Sequence, residues 1–277
     1  MAARQIIDGI PCYAPELALS NSGFPPEALD KLRKLEENNF WYRSRNNVIE
    51  TLIKRFAASP GKFLEVGCGN GFALKALSKF PGLSLTGCEI YLSGLSNAKK
   101  RLPGVAFIQL DARNIPFNNE FDFIGCFDVL EHIEDDMTVL QQMNKAVKPG
   151  GRIFISVPQY TWLWSDIDVI DNHKRRYSRN ELVTKITNAG FRIDYLSGFT
   201  GAIFPLMILS RIFRRKTKIS PGETALKNAP EIKYPELSVH PALNGLLRGL
   251  MRIDEWVIRF GLKLPFGGTL LAVGTKK

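Results

Sequence analysis

The stretch Glu65-Val66-Gly67-Cys68-Gly69-Asn70-Gly71 decides the fold of this 277-residue chain. It follows the apolar run Phe63–Val66, which is typical of a buried strand, and precedes the helical pattern Phe72–Phe80. Glycine permits backbone dihedrals and close approaches that a side chain would block. Backbone N–H groups at the start of a helix bind ligand oxygens. The stretch is therefore predicted to be a ligand-binding loop between a strand and a helix.

Strands and helices alternate on both sides of this loop, which predicts an α/β fold. Seven strands are predicted, at Phe63–Val66, Leu83–Cys88, Val105–Leu110, Phe121–Cys126, Arg152–Val157, Phe191–Leu196 and Thr269–Val273. Such alternation favours a doubly wound, mostly parallel sheet, and ligands bind such sheets beyond the carboxyl ends of the strands. Four regions are predicted: an N-terminal extension and helical cap (1–58), a core (59–198), a basic and apolar helical insertion (199–266) and a closing strand (267–277). Residues 1–24 are expected to be irregular.

The spacing of the loop glycines is GxGxG, whereas dinucleotide-binding folds use GxGxxG, and this favours S-adenosylmethionine (SAM) over NAD. Glu89 closes the second strand about twenty residues after the loop, where a carboxylate can accept both ribose hydroxyls. The alternative for Glu89 is an ordinary strand-end carboxylate. Ile90 can pack on an adenine ring, and Asp111 and Ala112, at the end of the third strand, can bind the adenine edge.

Further segments follow in order: Phe121-Asp122, then Asp128-Val129-Leu130-Glu131-His132, then Val147-Lys148-Pro149-Gly150-Gly151. With the glycine loop, Glu89 and Asp111-Ala112, they resemble the successive motifs of class I SAM-dependent methyltransferases of the quinone-biosynthesis-like group, over about residues 40 to 200. The resemblance implies a seven-stranded Rossmann-like sheet whose last strand is antiparallel. Residues 39–49 and 173–182 also resemble a bacterial subgroup associated with glycan and lipid-linked pathways. Some of its members carry an N-terminal cysteine pair, which this chain lacks.

The resemblance also assigns roles to residues. It implies that Gly67 and the backbone of Cys126 and Phe127 hold the methionine end of SAM, that Glu89 binds the ribose and that Asp111 binds the adenine amine. Arg43 or Arg45 can meet the methionine carboxylate, although a structural pair with an acid is the alternative. The predicted cofactor residues are Arg43, Glu65, Gly67, Cys68, Gly69, Gly71, Glu89, Ile90, Asp111, Ala112, Cys126 and Phe127.

Methyl transfer from a sulfonium needs alignment of the reacting atoms, and it needs a base only when the acceptor is a protonated hydroxyl or amine. His132 is the candidate base because it follows the fourth strand and histidine titrates near neutral pH. The alternative is a histidine that only orders its loop. Candidate substrate residues, which can also be a basic turn or core packing, are Trp41, Tyr42, Trp164, His173, Arg176 and Tyr177.

The basic charge of the chain is concentrated in its C-terminal region. Residues 199–277 contain 13 Lys and Arg against 5 Asp and Glu, a surplus of +8 of the net +10. The apolar run 199–213 is followed by the basic cluster Arg214-Arg215-Lys216-Thr217-Lys218, and 242–260 has an amphipathic helical pattern. These features predict contact with an anionic membrane or a lipid-linked acceptor. The alternatives are a lid over the substrate, packing against the core, or contact with a second copy.

Other features narrow the class of protein. The four cysteines form no CxxC pair or zinc spacing, so no metal is expected. The absence of an apolar leader or a long apolar run predicts a cytoplasmic chain, peripheral at the inner face of the membrane if it meets lipid.

The expected enzyme methylates an oxygen or nitrogen of a small-molecule or lipid- or glycan-linked acceptor. An RNA methyltransferase, for which no RNA-binding motif is present, and a non-catalytic SAM-binding protein remain as alternatives. The sequence leaves the oligomeric state open.

Overall fold

A computed structural model of the chain describes residues 5–20, 26–57, 59–213 and 239–277. These residues form one sheet with the order β1-β2-β5-β4-β3-β6-β7-β9-β8. Its strands are β1 Gln5–Ile7, β2 Ile10–Cys12, β3 Gly61–Val66, β4 Leu83–Glu89, β5 Ala106–Gln109, β6 Phe121–Phe127, β7 Val147–Pro158, β8 Phe191–Phe199 and β9 Thr269–Lys276.

The central strands are parallel, and the order in which the chain adds them to the sheet reverses at β3. β3 pairs in parallel with β4 on one side and with β6 on the other. β9 lies antiparallel between β7 and β8. Along the chain, β4 and β5 are added on one side of β3, and β6 and β7 are then added on its other side. A crevice forms at β3, where the strand order reverses. The predicted doubly wound sheet with an antiparallel last strand is confirmed.

The sheet described here has nine strands rather than the predicted seven, because residues 5–12 form a hairpin. β1 and β2 pair antiparallel across the turn Asp8-Gly9, and both turn residues have positive φ angles, of 50° and 69°. An Asp-Gly pair with these dihedrals is the turn that joins two antiparallel strands with least strain. β2 then pairs in parallel with β5, Cys12 opposite Gln109. The expectation that residues 1–24 are irregular is therefore wrong for residues 5–12.

The helices cover both faces of the sheet. They are α1 Pro15–Ser20, α2 Pro26–Glu36, α3 Phe40–Phe56, α4 Phe72–Leu77, α5 Leu92–Arg101, α6 Asp136–Ala146, α7 Asp166–Ile170, α8 Arg179–Asn188, α9 Phe204–Phe213 and α10 Pro241–Arg259. Helix α3 begins at Phe40, so its first turns include the aromatic and arginine-rich segment 41–45. Asn39 caps it, because its side chain accepts from the N–H groups of Trp41 and Tyr42. The aromatic and arginine-rich segment is therefore helical.

Alternating residues of the strands enter two separate apolar cores. Phe63 and Phe154 belong to the core under α3, α4, α5 and α10, whereas Leu64 and Ile153 belong to the core under α6 and α8. Successive side chains of a strand point to opposite faces, so a strand that is buried on both faces reads as a continuous apolar run. For this reason the continuous apolar runs in the sequence predict the core strands correctly.

The two apolar segments of the C-terminal region form helices α9 and α10, close to the predicted positions. The basic cluster 214–218 lies outside the described residues. Among the described residues, no helix has the length and apolar character needed to cross a bilayer. Helix α10 packs against α3, so the insertion is joined to the N-terminal cap.

Candidate active site

A cavity of about 570 Å³ lies beyond the carboxyl ends of β3, β4, β5, β6 and β7. Its size is that of a small-molecule site. Its wall includes these residues predicted for the cofactor: Glu65, Gly67, Cys68, Gly69, Glu89, Ile90, Asp111, Ala112 and Phe127. The wall also includes these residues predicted for catalysis or substrate: Trp41, Tyr42, His132, His173 and Arg176. The fold therefore brings most of the predicted residues into one cavity.

The glycine loop is fixed at the end of β3 by the neighbouring strand. Gly67 and Gly69 have positive φ angles of 71° and 48°, which residues with a Cβ rarely adopt. The N–H groups of Gly67 and Cys68 donate to the carbonyl oxygen of Cys88 at 2.8 and 2.9 Å. A Cβ on Gly67 would lie 2.4 Å from a methyl of Val129, whereas one on Gly69 would have no neighbour closer than 3.9 Å. Packing therefore requires the first glycine, and the backbone of the second borders the cavity.

Glu89 is oriented by backbone amides at the end of β4. Its Oε1 accepts from the N–H groups of Ile90 and Tyr91 at 2.7 and 3.2 Å, and its Oε2 accepts from Gly69 at 3.1 Å. Burial raises the pKa of this carboxyl, and these three N–H groups oppose the shift. A carboxylate has about four acceptor positions, so Glu89 retains capacity for a further donor such as a ribose hydroxyl.

Glu65 carries a buried carboxylate oxygen without a hydrogen-bond partner. The residue is only 3% exposed, and its Oε2 has no hydrogen bond within the protein. Burial raises the pKa of Glu65 to about 8, while the positive charge of Arg45 opposes the shift. A buried acceptor without a donor is costly unless a ligand supplies the donor. The amine of SAM is such a donor, so the residues present fit the predicted cofactor.

Asp111 faces the cavity but already has a partner. Arg113 Nε donates to both carboxylate oxygens at 3.0 Å, and its Nη2 donates to Oδ2 at 2.8 Å. The side chain of Arg113 is 48% exposed, so it can move without exposing buried surface. An adenine amine at this position would have to share the carboxylate with Arg113.

Of the two arginines predicted for the methionine carboxylate, Arg45 lines the cavity, whereas Arg43 lies on the exposed side of α3. Residues two apart on a helix differ by roughly 200° in direction, so only one of the two can face inward. Arg45 Nη1 donates to Asp128 Oδ2 at 2.7 Å, and its guanidinium lies 5.0 and 5.4 Å from the rings of Trp41 and Tyr42. The prediction that Arg43 lines the site is therefore wrong, and Arg45 lines it instead; the alternative of an arginine–acid pair describes Arg45.

His132 ends a single 3₁₀ turn, Leu130–His132, after β6. Its Nδ1 lies 2.8 Å from the carbonyl oxygen of Asp171. A carbonyl can only accept, so Nδ1 carries the hydrogen and Nε2 is the acceptor nitrogen of the neutral ring. Burial, and then the neighbouring His173, lower the pKa of His132 well below its ordinary value. His132 is therefore neutral at pH 7 and able to accept a proton, although it is a weak base.

Asp168 of α7 fixes the substrate side of the cavity. Arg176 Nε and Nη2 donate to its two carboxylate oxygens at 2.7 and 2.8 Å, and His173 Nδ1 lies 2.8 Å from Oδ1. Burial opposes ionisation of Asp168, but the bonds to His173 and Arg176 outweigh it and lower its pKa. The ring of His173 meets His132 edge-on, with centroids 4.7 Å apart. An anionic, fully buried aspartate therefore holds both basic side chains against the cavity.

Besides Arg43, four predicted site residues do not line the cavity, namely Gly71, Cys126, Trp164 and Tyr177. Gly71 caps α4, and a Cβ there would lie 3.0 Å from the Cβ of Ala98. Tyr177 is fully buried and donates to Asp136 Oδ2 at 2.6 Å. Cys126 is enclosed within β6. In the structure these residues pack the protein around the site.

Three residues could hold a divalent cation. Glu131, His132 and His173 offer one ligand atom each, all within 4.8 Å of one another. Neutral imidazole and carboxylate are common ligands of Zn²⁺, Mn²⁺ and iron. The expectation of no metal rested on spacing along the chain, and spacing does not register ligands that come from separate loops.

Sequence reasoning missed three parts of the cavity wall. It did not pair Arg45 with Asp128, it did not find Asp168 as the anchor of the loop, and it did not place Ile203 and Met207 in the wall. The positive φ of 56° at Asp128 has no signal in the sequence. Asp168 had one signal, since acids beside a histidine and arginine cluster are typical of an ion-pair network.

The comparisons with known proteins agree with this geometry. The family described as a methyltransferase domain matches residues 40–196. A probable S-adenosylmethionine-dependent methyltransferase of Mycolicibacterium smegmatis is 26% identical over 61% of this chain and 66% of its own length. A ubiquinone biosynthesis O-methyltransferase of Pseudomonas aeruginosa is 33% identical over 39% of this chain and 49% of its own. A phosphoethanolamine N-methyltransferase of Haemonchus contortus, solved with SAM, has a TM-score of 0.58, 19% identity, and covers 95% of this chain and 59% of that one.

The sheet order, the glycine loop and the strand-end carboxylates define a class I methyltransferase fold. The chain belongs to the family of SAM-dependent methyltransferases, because the family match spans more than half of it. SAM is the cofactor of that family. The chain spans between 49% and 66% of the length of the two curated relatives.

Proposed function

We propose that this chain transfers the methyl group of SAM to an oxygen or nitrogen of a lipid-linked or similarly apolar acceptor. One observation carries the proposal. The cavity is continuous from the glycine loop and Glu89 to the pair His132 and His173. A methyl donor held at one end therefore faces a base and an anchored basic residue at the other.

The walls of the cavity suit an acceptor with an apolar part and a polar end. Trp41, Ile203 and Met207 provide apolar surface, and Lys174 and Arg176 provide positive charge. The Pseudomonas aeruginosa relative is named for O-methylation in ubiquinone biosynthesis, which supports an apolar acceptor and oxygen as the methylated atom.

Different residues of the cavity have different roles in the in-line transfer of the methyl group. When bound, SAM supplies an electrophilic methyl group on a sulfonium. Glu89 and the loop around Gly69 fix the donor, Glu65 takes up its amine, and Trp41 and Tyr42 help to exclude water. His132 Nε2 accepts the proton of the acceptor hydroxyl or amine as the acceptor atom bonds to the methyl carbon and the carbon–sulfur bond of the sulfonium breaks, which leaves a neutral thioether. His173, held by Asp168, orients an anionic or hydroxyl group of the acceptor.

Methyl transfer can be tested with isotopically labelled SAM and a cell extract divided into lipid and aqueous fractions. We expect labelled product, identified by mass spectrometry, in the lipid fraction with wild-type protein and none with Glu89→Gln. Label confined to a water-soluble metabolite would refute the apolar acceptor, and label in RNA would favour the RNA alternative. Absence of label in every fraction would refute the methyltransferase activity.

A further inference from the structure

Helix α10 has an exposed apolar row that nothing in the described protein covers. Leu246, Ile253, Trp256 and Phe260 are 54–63% exposed and lie along one side of the helix at spacings of three, four and seven residues. The opposite side is buried, with Met251 and Ile258 against α3 and the core. We name these four exposed residues the α10 row. Large apolar side chains that are contiguous and exposed mark an interaction surface rather than random exposure.

We propose that the α10 row docks on an anionic membrane surface and presents the active-site cavity to acceptors in that membrane. This inference rests on the proposed function and deepens it, since it states where a lipid-linked acceptor would be met.

The charges around the row favour lipid over a second copy of the chain. The exposed charged residues of α10 are Arg252 and Arg259, while Asp254 is buried and Glu255 is paired with Arg248. Two copies facing each other would bring arginines together without exposed acids on α10 to pair them. Anionic headgroups supply the missing negative charge. The rings of Trp256 and Phe260 are in contact, with centroids 4.7 Å apart and planes inclined by 57°, and aromatic side chains with a polar group favour the boundary between lipid and water.

Contacts of α10 place the cavity next to this surface. Asp254, on the buried side, accepts from the N–H groups of Gly201 and Ala202 just before α9. Ile203 and Met207, at the start of α9, line the cavity. The outward side of α9 exposes Leu206, Leu209 and Ile212 at 47–68%. A helix that is apolar on both sides is normally buried, and here one side faces the cavity and the other faces solvent.

A second set of contacts joins α10 to the cap over the cofactor. Asn244 Oδ1 accepts from Phe40 N at 2.8 Å, and Asn244 Nδ2 donates to Asn38 at 3.0 Å. Arg248 Nη1 donates to the hydroxyl of Ser44 at 2.7 Å. These contacts hold the start of α3, which carries Trp41 and Tyr42 into the cavity. The α10 row is thus rigidly connected to both walls of the active site.

Vesicle sedimentation tests the proposal. We expect wild-type protein to sediment with phosphatidylcholine vesicles that contain phosphatidylglycerol, and less with phosphatidylcholine alone. Binding should weaken as salt rises, because charges are screened over about 8 Å near physiological ionic strength. The triple variant Ile253→Ser, Trp256→Ser, Phe260→Ser should bind at least tenfold more weakly. Ile6→Ser is the matched control, since Ile6 is 71% exposed on β1 at the opposite edge of the sheet, and it should bind like wild type.

Two further measurements separate the possible outcomes. Tryptophan emission of wild type should shift to the blue on anionic vesicles, and Trp256→Phe should lose most of that shift even if the triple variant does not fold. SAM affinity and methyl transfer to a soluble acceptor should stay unchanged in Trp256→Phe, which distinguishes failed docking from failed catalysis. Wild-type protein left in the supernatant with both vesicle types would overturn the proposal. A second result would also overturn it: wild-type protein that does not bind vesicles and forms a dimer which Trp256→Phe or the triple variant dissociates. The α10 row would then be an interface between two copies of the chain.

Discussion

Buried carboxylates with raised pKa values surround the cofactor end of the cavity, and they differ in what holds them. Glu89 has three backbone donors, whereas Glu65 has an oxygen without any partner. Burial raises the pKa of both groups. A carboxylate already held by amides is suited to receive neutral hydroxyls, while an unpartnered one is stabilised by a cation. The two acids therefore have different roles although both end a strand of the same sheet.

Binding of SAM should release a proton from Glu65. With its pKa at about 8, Glu65 is mostly protonated at pH 7 before binding. A bound amine favours the carboxylate and lowers that pKa, so a proton leaves and affinity increases from about pH 6 to pH 7.5. Calorimetry in buffers of different ionisation enthalpy measures the release. Glu65→Gln should abolish it, and an equal release from the variant would assign the proton to another group.

His132→Asn should lower turnover by about 100-fold while leaving SAM affinity nearly unchanged. Asparagine keeps a donor for the carbonyl of Asp171 but removes the acceptor nitrogen Nε2. Because the pKa of His132 is lowered, the acid limb of the wild-type pH–rate profile should lie below the ordinary histidine range. His240, exposed at the start of α10, is the control, and His240→Ala should have wild-type activity on a soluble acceptor. Normal turnover by His132→Asn would leave His132 as a positioning residue for the loop.

At the level of elements, helix α3 determines the shape of the cofactor cap. Its N-terminus is closed by Asn39, whose Oδ1 accepts from Trp41 N at 2.8 Å, and by Asn244 of α10. We expect Asn39→Ala to lower the free energy of unfolding by about 1 kcal/mol, and Asn39→Ser to lower it less, because serine is also a good cap. Urea denaturation measures both. A change as large in Asn39→Ser as in Asn39→Ala would contradict capping as the cause.

The strands of the core could be predicted because each is an apolar run bounded by glycine, proline or charge. The start of α3 could not be predicted, since Trp41, Tyr42 and Ser44 have only a moderate helix preference. In addition, Asn244, which accepts from the N–H group of Phe40, comes from a distant part of the chain. The hairpin β1–β2 was missed because three-residue strands have too little periodicity, although Asp8-Gly9 was a usable turn signal. Which of Arg43 and Arg45 faces the cavity could be decided only from the structure, because it depends on how helix α3 is rotated about its axis.

In the whole molecule, the methyltransferase core and the C-terminal insertion form one connected unit. The insertion contributes Ile203, Met207 and Arg211 to the cavity wall, and α10 packs on α3. The core motifs place Gly67, Gly69, Glu89 and Asp111 at or just after strand ends, and these residues line the cavity, because strand-end positions follow directly from the fold. The acceptor end depends on side chains that meet through tertiary packing, such as Asp168 with Arg176, and spacing along the chain does not determine such contacts.

Calorimetric titration of SAM into the wild type and Glu89→Ala tests most directly whether this cavity is the SAM site of a methyltransferase. We expect the wild type to bind with a roughly micromolar Kd. Glu89→Ala removes the acceptor for a ribose hydroxyl and should weaken binding by about 1.5–3 kcal/mol, which is roughly 10- to 150-fold. A folded wild type that binds no SAM, or a folded Glu89→Ala protein with unchanged affinity, would contradict the assignment.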